Sequence, residues 1–359
     1  MNSSSSPEVV VVTGASAGLG RAIVQKFAEQ GAHIGLIARG RDRLESTKRD
    51  VEAAGGRALV ISADVADAQA VEDAAEQVER EFGPIDIWVN NAMTAVFSPV
   101  KEMQADEYRR VTAVTYLGQV HGTLAALKRM LPRDHGVIVQ IGSALAYRSI
   151  PLQSSYCAAK HAILGFTQSL RTELLHDKSN VQVTMVQMPG LNTPQFDWVK
   201  SRLPNHPKPL GAWYEPEVGA NAVVWAAHNP RREVKVGYPT LEAVYGTKLL
   251  PGLGDQYLAD VGFKGQQTDE PVSPDRPNNL WEPVPGDYGA RGSFSKGAKD
   301  FSPAAWLATR GEWAAVADAA RVGVARGTLT KSDKDDKDNN DKDNGSHGSA
   351  KRRGLSETR

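Results

Sequence analysis

The patterned part of the chain opens on an uninterrupted apolar run, Val9-Val10-Val11-Val12, as a strand shows when both its faces are covered. Apolar positions at helical spacing follow from Leu19 to Glu29. A second apolar run, His33 to Ala38, precedes a charged amphipathic stretch from Asp42 to Ala54. The alternation continues with strand patterns at Arg57–Ser62, Ile85–Val89, Val137–Ile141 and Val181–Val186. Helix patterns at Ala68–Phe82, Ala105–Met130 and Ser155–Leu175 separate them. After an irregular excursion, residues 215–228 read as helix and Val234–Val236 as a strand that closes the sheet. Helices of this length between buried strands predict an α/β fold with a doubly wound, mostly parallel sheet. In such folds ligands bind outside the C-terminal ends of the strands.

The pattern changes near residue 265. A stretch rich in Pro, Gly, Asp and Asn runs from Gln266 to about Gly292, with isolated apolar residues around Trp281. It reads as an extended arm lying on a surface through Trp281. Trp306, Leu307, Trp313 and Val316 give rough helical spacing within 303–326, so the arm, residues 265–330, is expected to include helix. Residues 331–359 form a charged tail in which Lys, Asp and Asn alternate as far as Asn344; it has no apolar face to bury and is expected to be disordered. Residues 1–8 are expected to be flexible.

Composition excludes more than it identifies. With 41% hydrophobic and 23% charged residues among 359, the chain has the makeup of an ordinary soluble globular protein. Zero formal net charge gives no reason to expect nucleic acid as a partner. Cys157 stands alone, which rules out an intramolecular disulfide and fits a reducing compartment. No signal-peptide pattern and no apolar run of about 18 residues occurs, so a cytoplasmic location and no transmembrane segment are expected. His121, His161 and His176 show no metal-ligand spacing, and no metal is expected.

Two motifs sit where the fold would place ligands. Thr13-Gly14-Ala15-Ser16-Ala17-Gly18-Leu19-Gly20 lies between the first strand and first helix. Its glycines would allow a tight turn and let backbone amides approach a pyrophosphate, although the spacing is not GxGxxG. Tyr156 and Lys160, four residues apart on a helix, share a face, and an ammonium there would lower the tyrosine's pKa. Tyr156 is then an acid in carbonyl reduction and a base in alcohol oxidation. Ser143, just past the fifth strand, is placed to hydrogen-bond a substrate oxygen.

On these residues the chain resembles the short-chain dehydrogenase/reductase family, over about residues 7–250. Gly14, Ser16, Gly18, Leu19 and Gly20 resemble the family's phosphate turn. Asp64-Val65 is similar to its adenine-contacting pair, and Asn90-Asn91-Ala92 to the segment steadying the sheet beside the coenzyme. The resemblance implies a Rossmann-like single catalytic domain over 9–264. It also implies that Lys160 holds the nicotinamide ribose beside Tyr156, that Thr193 contacts the carboxamide, and that the chain forms a homodimer or homotetramer through its fourth and fifth helices. Pro194, Phe196, Trp198, Val199 and Leu203 would form a lid, with Tyr147 and Leu152 opposite. That lining favours an apolar ketone, aldehyde or alcohol.

The chain departs from the family pattern at three places. Met93 replaces the usual glycine and would either narrow the space near the coenzyme or substrate or fill core, the second being favoured. Thr115 stands at the catalytic asparagine position and is the candidate there; a threonine hydroxyl can bond back to the carbonyl four residues earlier but has fewer donors and acceptors than an amide. Pro189-Gly190 is shifted by one residue and is left structural. Cys157, beside the tyrosine, reads as a small buried hydrophobe. The second strand ends on Arg39 with no acid, which favours NADP(H), with NAD(H) as runner-up. Arg41 and Arg43 either reinforce that positive field or are solvent-facing helix charge. The reading is an NADP(H)-dependent carbonyl reductase or alcohol dehydrogenase. A coenzyme-binding regulator or scaffold is the alternative, with less reason to keep Ser143, Tyr156 and Lys160 together.

Overall fold

The structure is a computed structural model that describes residues 6–249, 251–273 and 275–310. The expected charged tail, the second half of the 303–326 helix and residues 1–5 lie outside the described residues.

Seven strands form the central sheet: β1 (Val9–Thr13), β2 (His33–Ala38), β3 (Arg57–Ser62), β4 (Ile87–Asn90), β5 (Val137–Ser143), β6 (Gln182–Met188) and β7 (Glu233–Lys235). Their order across the sheet is β7-β6-β5-β4-β1-β2-β3, and every pairing is parallel. The chain builds outward from β1 in one direction and then returns to build from β4 in the other. That reversal leaves a crevice at the C-terminal ends of β1 and β4. All five residues of β1 are buried, as its apolar run requires.

Helices cover both faces. On one, α1 (Gly18–Ala28), α2 (Arg41–Ala53) and a later helix (Pro216–His228) bury Ile23, Phe27, Leu44 and Val223 against Val10, Val12 and Leu36. On the other, α3 (Ala68–Phe82), α4 (Ala105–Val111), α5 (Gly118–Met130) and α6 (Ser154–His176) surround Val71, Val78, Trp88, Ala126 and Leu170. The stretch read as one helix, Ala105–Met130, contains a π-helical turn at Thr112–Leu117 that separates α4 from α5. Such turns re-aim the following helix and recur beside functional sites.

Two helices, α8 (Tyr238–Leu249) and α9 (Pro251–Gly265), follow α7 (Pro216–His228) where the sequence pattern names no element. Tyr238, Tyr245, Leu253 and Tyr257 are exposed there, so apolar residues do not gather into one stripe. The arm that follows is corrected in its anchor. Trp281 is 49% exposed, whereas Leu280 is fully buried against Val96 and Val111. The arm is also less extended than expected, since Gln267–Pro271 pairs antiparallel with Asn205–Pro207. The helix begun at Pro303 is present as α10 (Pro303–Arg310). Among the described residues no helix is long and apolar enough to cross a membrane.

Because Leu280 fastens the arm to the core, Leu280→Ala should lower unfolding stability by about 2–5 kcal/mol. Chemical denaturation measures this, and an unchanged midpoint would show that the arm does not pack.

Candidate active site

The crevice is built first by hydrogen bonds between strand ends. The Thr13 hydroxyl accepts the backbone amides of Asn91 (3.0 Å) and Ala92 (3.1 Å). The Asn91 side-chain amide donates in return to the carbonyls of Thr13 (3.0 Å) and Gly14 (3.3 Å). The glycine turn is thereby fixed to the segment after β4. Gly14 and Gly18 have φ of 68° and 57°, in the left-handed region that favours glycine. A Cβ at Gly20 would fall 2.1 Å from the Gly14 oxygen, and one at Gly14 would fall 2.8 Å from the Ala92 Cα. This is a backbone cradle at the N-terminus of α1, where amide donors and the helix dipole favour an anion. The residues therefore fit the pyrophosphate of a dinucleotide. Ser16, Gly18 and Leu19 line the same cleft.

At the end of β2, Arg39 lies half-buried in the cleft wall beside Asp64 and Val65. Its guanidinium donates to the backbone carbonyls of Asn279 (2.5 Å) and Trp281 (2.6 Å), on the C-terminal arm. Asp64 pairs with Arg110 at 2.6 Å, a partner the sequence reading did not name. Arg43 is buried, not solvent-facing, with its guanidinium 5.0 Å from the Trp198 ring and 5.9 Å from that of Tyr288. Arg41 is the exposed one and pairs with Glu45. Helical spacing put both arginines on α2 but did not show which face meets the arm.

Ser143 ends β5, and Tyr156 and Lys160 occupy the first two turns of α6; all three line the cleft. Lys160 is buried and donates to the Ile141 carbonyl at 2.7 Å, with its Nζ 5.5 Å from the centre of the Tyr156 ring. The expectation that the ammonium lowers the tyrosine's pKa is corrected in this state. Burial raises the Tyr156 phenol above its ordinary value, against a hydrogen bond with Ser143 that draws it down. Burial also lowers Lys160 to about 7. Desolvation disfavours both charged forms. Cys157, also buried, has its thiol pushed up by burial.

Thr115 is placed differently from its expectation. Its hydroxyl donates to the Thr94 carbonyl (2.8 Å) and accepts the Thr94 amide (3.0 Å), so it bonds to the loop after β4 and not back along its own helix. The π turn brings it there. Met93 is corrected too: it is partly exposed and lines the cleft. Pro189 and Gly190 also line it, with Thr193 packed where a Cβ on Gly18 would come within 3.2 Å. Phe196, Val199 and Leu203 bury themselves with Phe97 and Leu152. Tyr147 and Leu152 are not among the cleft-lining residues. Tyr147 turns its hydroxyl to Glu233, and the opposite wall is formed by Leu145, Ile150 and Gln153. Leu210, Tyr257, Leu258 and Val261 extend it, in a cavity of about 920 Å³. The two helices after Gly237 thus contribute lining that the sequence reading missed.

Comparison with known proteins places these features in a family. Residues 8–202 match the family model described as short chain dehydrogenase. The chain is 30% identical to the uncharacterized oxidoreductase YxnA of Bacillus subtilis, over 77% of this chain and 78% of that one. It is 39% identical to the human dehydrogenase/reductase SDR family member 7, over 46% of this chain and half of the relative. Among solved structures, an alcohol dehydrogenase from Thermococcus sibiricus complexed with 5-hydroxy-NADP aligns with TM-score 0.56 and 25% identity. That alignment covers 64% of this chain and 95% of the other. A metagenomic short-chain oxidoreductase in complex with NADP aligns with TM-score 0.55 and 29% identity, over 65% and 98%.

The buried lysine yields a pH prediction. Between about 7 and its ordinary value of 10.5, the folded chain holds fewer protons on Lys160 than the unfolded chain does. Stability should therefore rise with pH in that window, by at most about 1.4 kcal/mol per unit. Lys160→Met should be more stable than the parent at pH 7 and should flatten this dependence. Denaturant titrations at pH 7, 8 and 9 measure it, and parallel curves for the two proteins would contradict the assignment.

Proposed function

This chain belongs to the short-chain dehydrogenase/reductase family, and on that premise we propose that it reduces an apolar ketone or aldehyde with NADPH. The same site would run the reverse oxidation of the alcohol. The observation that carries the reading is the convergence of Ser143, Tyr156 and Lys160 on one cleft with the glycine turn.

A bound nicotinamide would supply the hydride. The protein's own part is to position the carbonyl and deliver the proton. The Ser143 hydroxyl is set to hydrogen-bond the substrate oxygen, and Tyr156 to pass its phenolic proton to that oxygen as negative charge develops there. Burial raises the Tyr156 phenol, so it carries its proton at neutral pH, the form the acid role requires. Lys160, held by the Ile141 carbonyl, stands near enough to stabilise the phenolate as the proton leaves, and would hold the ribose hydroxyls. Thr115 supports the site indirectly through Thr94.

NADP(H) is preferred in this reading because β2 ends in Arg39 and carries no acid to repel a 2′-phosphate. The two structural neighbours are complexes with 5-hydroxy-NADP and NADP, which agrees with it. The apolar wall formed by Leu145, Ile150, Phe196, Leu210 and Leu258 favours an apolar substrate. Dimer or tetramer formation, implied by the family, belongs to the same proposal.

Tyr156→Phe should lower kcat for a reduced carbonyl by about 10²–10⁴-fold while NADPH still binds near parent affinity. A screen of apolar aldehydes and ketones, followed by nicotinamide absorbance, supplies the substrate; near-parent turnover by the variant would sink the role of Tyr156. Separately, Arg39→Ala should lower kcat/KM for NADPH by about 10–100-fold and leave NADH nearly unaffected. Parent preference for NADH would overturn the coenzyme assignment, and an equal loss with both coenzymes would overturn the role of Arg39.

A further inference from the structure

The arm does not simply lie on the surface. Residues 276–294 run across the nucleotide side of the cleft and bond to each element that borders it. Arg276 donates to the carbonyls of Phe196, Asp197 and Val199 on the lid. The carbonyls of Asn279 and Trp281 hold Arg39, and that of Leu280 accepts from Arg110 at 2.9 Å. Asp287 pairs with Arg21 of α1 and accepts the Ser46 hydroxyl of α2 at 2.6 Å. Tyr288 meets the Trp198 ring edge-on at 4.6 Å, and the Gly289 carbonyl accepts the Gly18 amide at 3.0 Å. Gly292 donates to the Asn192 carbonyl, which returns the strand of contacts to the lid.

We propose that residues 276–294 are a strap that forms part of the coenzyme site, positions Arg39 for the 2′-phosphate and gates coenzyme release. The inference rests on the coenzyme reading of the same cleft. Three observations favour a cover over a plug. Asn279 and Pro283 line the same cavity as Gly14, Ser16, Asp64 and Val65, so space persists beneath the strap. Arg39 hydrogen-bonds only neutral carbonyls, which orient its guanidinium; the carboxylates near it act through space, Asp64 being paired with Arg110 and Glu282 making no bond to it. The carboxylate of Asp287 is directed instead to Arg21 and Ser46, away from Arg39, where it latches the strap across α1 and α2. The Gly289 carbonyl takes one amide at the start of α1, and a helix N-terminus offers several.

Asp287 is a positioning residue, and its test reads binding kinetics in the full-length chain. NADPH is bound and then displaced by excess NADP, with release followed by nicotinamide fluorescence in stopped flow. Asp287→Ala should raise the release rate constant by about 10-fold, because it removes charge-assisted bonds that hold the strap down. Asp287→Asn, which keeps an acceptor for Ser46, should fall between Asp287→Ala and the parent. Both variants should keep the parent's near-ultraviolet circular dichroism, a result that general loss of structure would not produce. Unchanged release from a folded Asp287→Ala protein overturns the strap. Slower release with tighter binding also overturns it, and makes the segment a competitor of the coenzyme. Parent protein that binds neither NADPH nor NADH refutes the coenzyme reading itself, and the strap with it.

Discussion

Two adjacent parallel strands end in residues that hydrogen-bond to each other, Thr13 on β1 and Asn91 just beyond β4. The Thr13 hydroxyl accepts two amides from the Asn91-Ala92 segment, and the Asn91 side chain spans two carbonyls of the glycine turn. The crevice opens where the sheet reverses its order, so its two sides belong to different halves of the chain. That tie holds the glycine turn against the loop that carries Met93 and Thr94. Thr115 fastens the loop from the opposite side through Thr94. The helix bearing Tyr156 then packs beside a loop already fixed on two sides.

Burial shifts the ionisable groups of the cleft. Tyr156 and Lys160 are shifted in opposite directions by the same cause, burial, which disfavours phenolate and ammonium alike. The lysine is destabilising in the folded chain near neutral pH. That cost accords with the role proposed for Lys160 beside Tyr156. In the proposed reduction, a protonated phenol hydrogen-bonded by Ser143 would give its proton, and a poorly solvated lysine would answer strongly to the negative charge left beside it.

How much of this was legible in the sequence depended on the range of the interaction. The seven strands and the helices from α1 to α7 follow from local periodicity, because each buries a face set by its own residues. The turn and the Ser143–Tyr156–Lys160 constellation were legible for the same reason, with spacing along single elements bringing them to one end of the sheet. The π turn was not: Ala105–Met130 has one continuous helical pattern, and the extra residue is absorbed by the Thr115–Thr94 bonds. The partners of Arg39, Arg43 and Arg110 lie roughly 170 to 245 residues away on an arm whose composition looks like a linker. Its anchors are Leu280, backbone carbonyls and the isolated side chains of Arg276, Asp287 and Tyr288, and none of these leaves a periodic pattern in the sequence. Tyr147 shows the same limit, since its hydroxyl is claimed by Glu233 on β7.

The account stands or falls on hydride transfer to a carbonyl carbon in this cleft. The direct measurement is isotopic: NADPH carrying deuterium at both C4 positions of the nicotinamide ring is incubated with the full chain and a panel of apolar aldehydes and ketones. Products are analysed by mass spectrometry and NMR. The account predicts an alcohol with one deuterium on the former carbonyl carbon and none elsewhere. Unlabelled alcohol, or no alcohol from any carbonyl in the panel with either labelled NADPH or labelled NADH, would contradict it.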